Sequence, residues 1–381
     1  MSSVRKAIYR LITSEASLPA GIYHYQESPD SPHQYRLHLR LEKNGEGILV
    51  VNATTVLHLN QTAAEFAYHL IKGTPQDQII HRITRRYRVS KQQASKDYQN
   101  FIEKIQTLIN IPDLDPVMYF DIQRETPHEH KLSAPLRLDC ALTYRVPEGV
   151  DPSVSPIQDV KRELTTDEWK VIIDKSWSVG IPHIVFTGGE PTLREDLPDL
   201  LAHAESNGQV TGLLSDGNRL VSQEYLQTLL KTGLDYILIT FDPKSKITWE
   251  ALDNILAADL FAAVHITVTL TNALEVSELL NKLERKGVKA ISLSSSESTL
   301  RDTLATLRNQ VADLGLSLVW DIPVPYSLFN PVGLETMEDI PSQGPGQSWL
   351  YVEPDGDVLP GQGIHDVLGN FLSDPWEKLW E

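Results

Sequence analysis

The sequence predicts an α/β chain whose larger part is a partial (β/α)6 barrel. A small winged-helix-like α+β domain precedes it and a short strand-bearing tail follows. Three observations carry this. Apolar runs alternate with helical periodicities between residues 134 and 322. A two-residue alternation followed by three capped helical patterns fills residues 35–110. A Pro/Gly-rich stretch with one hairpin signal occupies residues 323–381. At 381 residues the chain is long enough for two or three domains.

Composition narrows the classes. Apolar residues make up 41% and charged residues 22%, an ordinary globular balance. Lys and Arg number 34 against 51 Asp and Glu, a formal charge of −17 that repels phosphate backbones and argues against nucleic-acid partners. No apolar run is long enough for a membrane span, and no secretion signal opens the chain, so a cytoplasmic protein without membrane contact is expected. The one cysteine, Cys140, excludes an intramolecular disulfide, a Cys-based zinc site and a thiolate-held iron–sulfur cluster.

The elements follow in order. Residues 1–34 form an N-terminal segment, with a short helix expected over Val4–Ile12 and a loop over Gly21–His33, where Pro29 and Pro32 fall. Tyr35–Leu41 alternates apolar and polar residues, Asn44–Gly47 is a turn, and Ile48–Val51 and Thr55–Leu59 are the second and third strands. Helices are expected over about Gln61–Lys72, ended by Gly73, then from Thr74 as N-cap with Pro75 at the first position, then from Ser90, with Gln93 closing a capping box, to about Ile109. Residues 111–133 carry Pro112, Pro116 and Pro127 and read as a linker. Strands are then expected at Leu136–Thr143, His183–Thr187, Val210–Ser215, Tyr236–Phe241, Ala263–Leu270 and Ala290–Ser294. Helices fall between and after them at Asp167–Val179, Leu197–Ser206, Gln223–Lys231, Trp249–Ala257, Leu274–Lys286 and Thr299–Asp313. Such a run gives a parallel sheet wound right-handed, a TIM-like arrangement with its site at the strands' C-terminal ends. In the tail, Leu350–Glu353, Pro354–Asp357 and Val358–Leu359 read as strand, turn and strand.

One motif sits where a barrel places its chemistry. Thr187-Gly188-Gly189-Glu190-Pro191-Thr192 follows the second barrel strand. The glycines allow close backbone approach, Glu190 can accept from a cationic amine, and Pro191 fixes the chain before the next helix. Read alone, it is equally a tight βα turn. Ser215-Asp216-Gly217-Asn218 closes the third strand and Thr240-Phe241-Asp242 the fourth.

With these motifs, residues 134–381 resemble the radical S-adenosylmethionine (SAM) enzymes that mature ribosomally made peptides and carry a SPASM- or twitch-type tail. The resemblance implies that Gly188, Gly189, Glu190 and Pro191 meet the amino group of SAM, and that Ser215, Asp216 and Asp242 lie near the rest of it. In the tail, Gly346–Trp349 and Leu368–Phe371 carry the likeness. The defining cysteines are missing. In register with the family's Cys-x3-Cys-x2-Cys loop stand Val146, Val150 and Ser153, and Gly344 and Gly361 stand where auxiliary-cluster cysteines commonly lie. Valine and glycine offer no ligand atom to iron. Cys140 falls within a strand and reads as a packing residue. His128-Glu129-His130 reads as a solvated charge group rather than a metal pair, so no metal-ligating set is expected.

Residues 35–110 resemble the PqqD-like peptide-recognition fold, the piece that carries it being Leu57–Asn60 leading into Ala63–Phe66. The resemblance implies a precursor (leader) peptide as partner, adding as a strand to a sheet edge. The expected groove is lined by Tyr35, Leu37, Leu39 and Leu41 with Tyr98 and Phe101 of the third helix. His81, Arg82, Arg85, Arg86 and Arg88 form a basic group that fits a solvated face and an acidic-leader contact equally well.

The expectation is a cluster-less pseudoenzyme with no cofactor, partnered by a precursor peptide and by an intact radical SAM enzyme. Two alternatives stay open: a repurposed non-radical enzyme that still takes SAM, and a cysteine-deleted form of an active enzyme. No catalytic residue is named.

Overall fold

The computed structural model describes residues 18–28, 31, 35–52, 55–111, 132–258, 260–295, 297–337 and 344–380. The expected helix at Val4–Ile12, most of the linker and the His128–His130 group lie outside them. The chain divides into two compact units, Met1–Thr126 and Pro127–Glu381.

The first unit is a four-stranded antiparallel meander with three helices. Its strands are β1 (Gly21–Gln26), β2 (Arg36–Leu41), β3 (Gly47–Val51) and β4 (Thr55–Leu59), paired in that order. Strand β1 corrects the loop expected over Gly21–His33: Tyr23 stands opposite Leu39 and Tyr25 opposite Leu37. The correction extends to the groove. Because β1 covers it, β2 is an inner strand, and Leu37, Leu39 and Leu41 are buried core residues rather than groove walls. Among the described residues the edges of the sheet are β1 and β4.

Helices α1 (Gln61–Ile71), α2 (Gln76–Tyr87) and α3 (Lys91–Asn110) follow. Asn60 caps α1 by accepting from the Ala63 N–H, and Gly73 turns the chain out at φ +61°. The N-cap of α2 is Pro75, not Thr74; the Thr74 hydroxyl meets His69 Nδ1 at 3.1 Å instead. Ser90 accepts from the Gln93 N–H, but the Gln93 amide turns to Asp97, so half of the expected capping box forms. Tyr98 packs edge-on against Phe66 at 5.3 Å, and Phe101 lies 5.9 Å from the same ring.

The second unit is built on one ten-stranded sheet. Strands β5 (Arg137–Thr143), β6 (His183–Gly188), β7 (Val210–Ser215), β8 (Tyr236–Thr240), β9 (Phe261–Val268) and β10 (Ala290–Ser295) run parallel in sequence order. Short β11 (Ser317–Leu318) adds beyond β10, and β12 (Trp349–Val352), β13 (Asp357–Leu359) and β14 (Gly369–Asn370) add beyond β5. Helices α4 (Thr166–Val179), α5 (Leu197–Asn207), α6 (Gln223–Lys231), α7 (Lys246–Ala257), α8 (Ala273–Arg285) and α9 (Arg301–Asp313) alternate with the parallel strands. Thr165 and Glu168 complete the capping box of α4.

The two sheet faces have different partners. Leu138, Cys140, Leu142, Ile184, Phe186, Ile237 and Val264 share one core with Trp169, Ile172 and Leu200 of the helices. Val185, Leu214, Leu238, Ala263 and Ala290 fill the concave face with Tyr236. Near the strands' C-terminal ends that face turns polar, with Thr187, Thr240, His265 and Ser292 all buried.

Leu39, fully buried on the inner strand β2, is the most direct probe of the first unit. Leu39→Ala is expected to cost about 2–5 kcal/mol through lost burial and the cavity left behind. Urea unfolding of the full chain measures this.

Candidate active site

The turn after β6 holds the mouth of the barrel. Gly188 has φ +126°, and a Cβ there would lie 2.1 Å from the Thr143 carbonyl oxygen; at Gly189 it would lie 2.2 Å from that of Arg145. The absent side chains let the Gly189 and Glu190 N–H groups donate to the Thr143 and Arg145 carbonyls, each at 2.8 Å. The motif thus clamps the loop after β5, the loop that carries Val146, Val150 and Ser153.

Glu190 ties this turn to the next. It is 2% exposed. Its Oε1 accepts from the Thr192 N–H (3.0 Å), the Thr192 hydroxyl and the Ser215 hydroxyl (2.9 Å), and its Oε2 accepts from the Asp216 N–H (2.8 Å). Burial, and after it the charge of Asp216, pushes the Glu190 carboxyl up to about 8. Burial also raises Asp216, whose carboxylate accepts from the Asn218 backbone and side-chain N–H groups at 2.8 Å each.

A chamber of about 190 Å³ opens above this network. Gly189, Glu190, Asp216 and Asp242 line it; Gly188 and Ser215, the last residues of β6 and β7, and Pro191 in the turn after β6 do not. Thr240, from the motif that closes the fourth strand, lines it as well, whereas the sequence offered no signal for Tyr326 and Phe329, which the chain brings in from beyond the last barrel helix. Thr240 is buried, with no hydrogen-bond partner for its hydroxyl among the described residues. The Tyr326 N–H anchors its segment on the Gly188 carbonyl at 2.9 Å.

The cysteine positions have new occupants. Val150 lines the chamber beside Pro147, whereas Val146 is half-buried and Ser153 is exposed. Cys140 sits in the core between sheet and helices, where burial, and then the Asp139 charge, raises its thiol well above the usual range. In the tail, a Cβ on Gly344 would lie 1.8 Å from the Trp349 ring, and one on Gly361 would lie 3.3 Å from its Nε1. The indole fills the space that side chains at 344 and 361 would need.

The raised Glu190 carboxyl sets a pH dependence. A group that binds its proton more tightly when folded gives stability that is full below its ordinary pKa and lost as pH rises through the folded value. Stability should therefore fall between about pH 4.5 and pH 8. Glu190→Gln should flatten that slope in denaturant midpoints taken across the range.

The comparisons with known proteins agree with this architecture. Residues 140–243 match the radical SAM superfamily model, and residues 46–108 match the model of coenzyme PQQ synthesis protein D (PqqD). The chain is 26% identical over 283 residues to a PqqA peptide cyclase of Streptomyces rochei, covering 65% of this chain and 76% of that one. It is 39% identical over 84 residues to an Fe-coproporphyrin III synthase of Methanosarcina barkeri, 22% and 21% of the two chains. Among solved structures, Streptococcus suis SuiB superposes with a TM-score of 0.55 at 17% identity, over 91% of this chain and 87% of that one. Further structures hold SuiB bound to its precursor peptide SuiA (TM-score 0.57, 14% identity, 90% and 86%) and to S-adenosylmethionine (0.56, 16%, 90% and 86%). This chain resembles a radical SAM peptide-maturation protein with an N-terminal PqqD-like domain, and it has a single cysteine.

Proposed function

We propose that this protein binds a ribosomally made precursor peptide and serves its maturation without radical chemistry, as a cytoplasmic, cluster-less partner of an intact radical SAM enzyme. The observation that carries the reading is the donor set. The three positions in register with the cluster cysteines are Val146, Val150 and Ser153, and the one thiol is buried on the helix side of β5. These residues do not fit a thiolate-held cluster, which needs several cysteine ligands where this chain has one cysteine. No step of the reading passes through such a group.

Peptide capture needs only backbone groups. A strand added to a sheet edge gains main-chain hydrogen bonds, and alternate side-chain pockets give selectivity. The reading places the peptide on β4 rather than β2. Strand β4 pairs with β3 alone among the described residues, and it lies within the PqqD-matched segment, whereas β1 and β2 lie outside that match. The curated relative acts, by its name, on the peptide PqqA, and SuiB holds SuiA.

The chamber beside Glu190 supports a second reading, a repurposed site for SAM. Its volume opposes that: about 190 Å³ is below the roughly 300–1,000 Å³ usual for small-molecule sites.

Two measurements test the proposal. Anaerobic reconstitution with iron and sulfide should leave no stoichiometric cluster after gel filtration; a visible cluster band that survives the column contradicts it. Titrating the full chain with leader peptides encoded beside its gene should give saturable binding that does not depend on SAM. A chain that binds none of them yet turns over a small molecule belongs to the repurposed-enzyme reading instead.

A further inference from the structure

A second chamber, of about 240 Å³, lies in the barrel unit and shares no lining residue with the first. Asp139, Ser294, Asp321, Asn330, Trp349 and Gln362 contribute its polar and aromatic wall, and Ile322, Pro323 and Pro345 its apolar part.

Its hydrogen-bonding groups are sorted by what they have left to offer. The Asn330 and Gln362 amide N–H groups both donate to the Val324 carbonyl, and the Ser295 hydroxyl donates to the Glu297 carbonyl. Ser294 is backed by a buried imidazole: its Oγ is 3.0 Å from His265 Nε2, with the Thr267 hydroxyl 3.3 Å from the same nitrogen and the Ser292 hydroxyl 3.0 Å from Nδ1. Burial lowers the His265 pKa to about 4, so the ring is neutral at pH 7. Two hydroxyls converge on Nε2 and one on Nδ1. Nε2 offers the two hydroxyls a single in-plane site, and the Ser294 hydroxyl also donates to the Thr267 hydroxyl at 3.5 Å. With either tautomer the Ser294 oxygen keeps a lone pair for the chamber.

The charges are sorted in the same way. Arg137 holds both oxygens of Asp139 at 2.7 and 3.0 Å, donates to the Asp321 backbone carbonyl and lies 4.8 Å over the Trp349 ring. Its charge is engaged within the wall. Asp321 adds a second carboxylate, so Arg137 faces two negative charges, and no lysine, arginine or histidine among the described residues lines the space. The wall offers acceptors, a net negative charge and an aromatic face, with its donors occupied.

We propose that this chamber binds a cationic side chain, a primary ammonium or a guanidinium, with its charge against Asp321 and Ser294 and its alkyl stem along Trp349 and Ile322. A cation already rests against Trp349 in the form of Arg137, and a cation beside an aromatic ring and the exposed carboxylate of Asp321 is favoured by both. The inference does not rest on leader capture, because a single side chain suffices to occupy the chamber.

The test uses the full chain and N-acetylated, C-amidated lysine, arginine and norleucine, followed by NMR at the Trp349 indole N–H, assigned with Trp349→Phe. The lysine or arginine probe should shift that signal saturably and the norleucine probe should not. Asp321→Asn should weaken binding at least tenfold. Asparagine tolerates the left-handed backbone at this position (φ +59°), so the fold should be retained, which the unchanged remainder of the spectrum checks. Equal binding of norleucine, unchanged affinity in Asp321→Asn, or no saturable shift with either cation would overturn the proposal.

Discussion

The mouth of the barrel depends on one buried carboxyl group. Glu190 accepts from Thr192 in its own turn and from Ser215 and Asp216 in the next. A carboxyl so buried is costly unless its oxygens are satisfied, and here backbone and hydroxyl donors satisfy them. Its pKa of about 8 shows the remaining cost of ionising it there. With Gly188 and Gly189 letting the β5 loop approach, three successive βα loops are joined by the polypeptide itself. The same residues read as a cofactor motif in the sequence also serve as the frame of the site.

That frame explains how the cysteine positions can carry Val146, Val150 and Ser153. Hydrogen bonds to Thr143 and Arg145 fix the entry of the loop, and Ser155 donates to the Tyr144 carbonyl at 2.6 Å. At the other end of β5, on the neighbouring strand β12, the Trp349 ring occupies the space beside Gly344 and Gly361 and stacks under Arg137. In both places ordinary packing and hydrogen bonding hold the backbone.

Much of this was legible in the sequence because local signals agreed with one another. Strand β7 and helix α6 fall at the expected Val210–Ser215 and Gln223–Lys231, and the Thr165–Glu168 capping box marks the start of α4. The failure at β1 has a physical cause. Gly21–Gln26 lies among prolines and is half-buried along most of its length, so no apolar–polar alternation announces it. Missing it turned β2 into an apparent edge and placed Leu37, Leu39 and Leu41 in a groove when they belong to the core. The chamber at Asp321 left no trace, since its wall is assembled from β5, β10 and three separate stretches of the C-terminal region. The turn motif was found, but its glycines meet the carbonyls of the neighbouring loop, a contact that local spacing does not encode.

The central claim is that polypeptide contacts hold the mouth. Hydrogen exchange on the purified, chelator-treated chain tests it most directly, read at the Gly189 and Glu190 amides that donate to Thr143 and Arg145. The account predicts protection close to that of the β6 core, diminished in Glu190→Ala. Rapid exchange at both amides in the unmodified chain, with β6 itself protected, would contradict it.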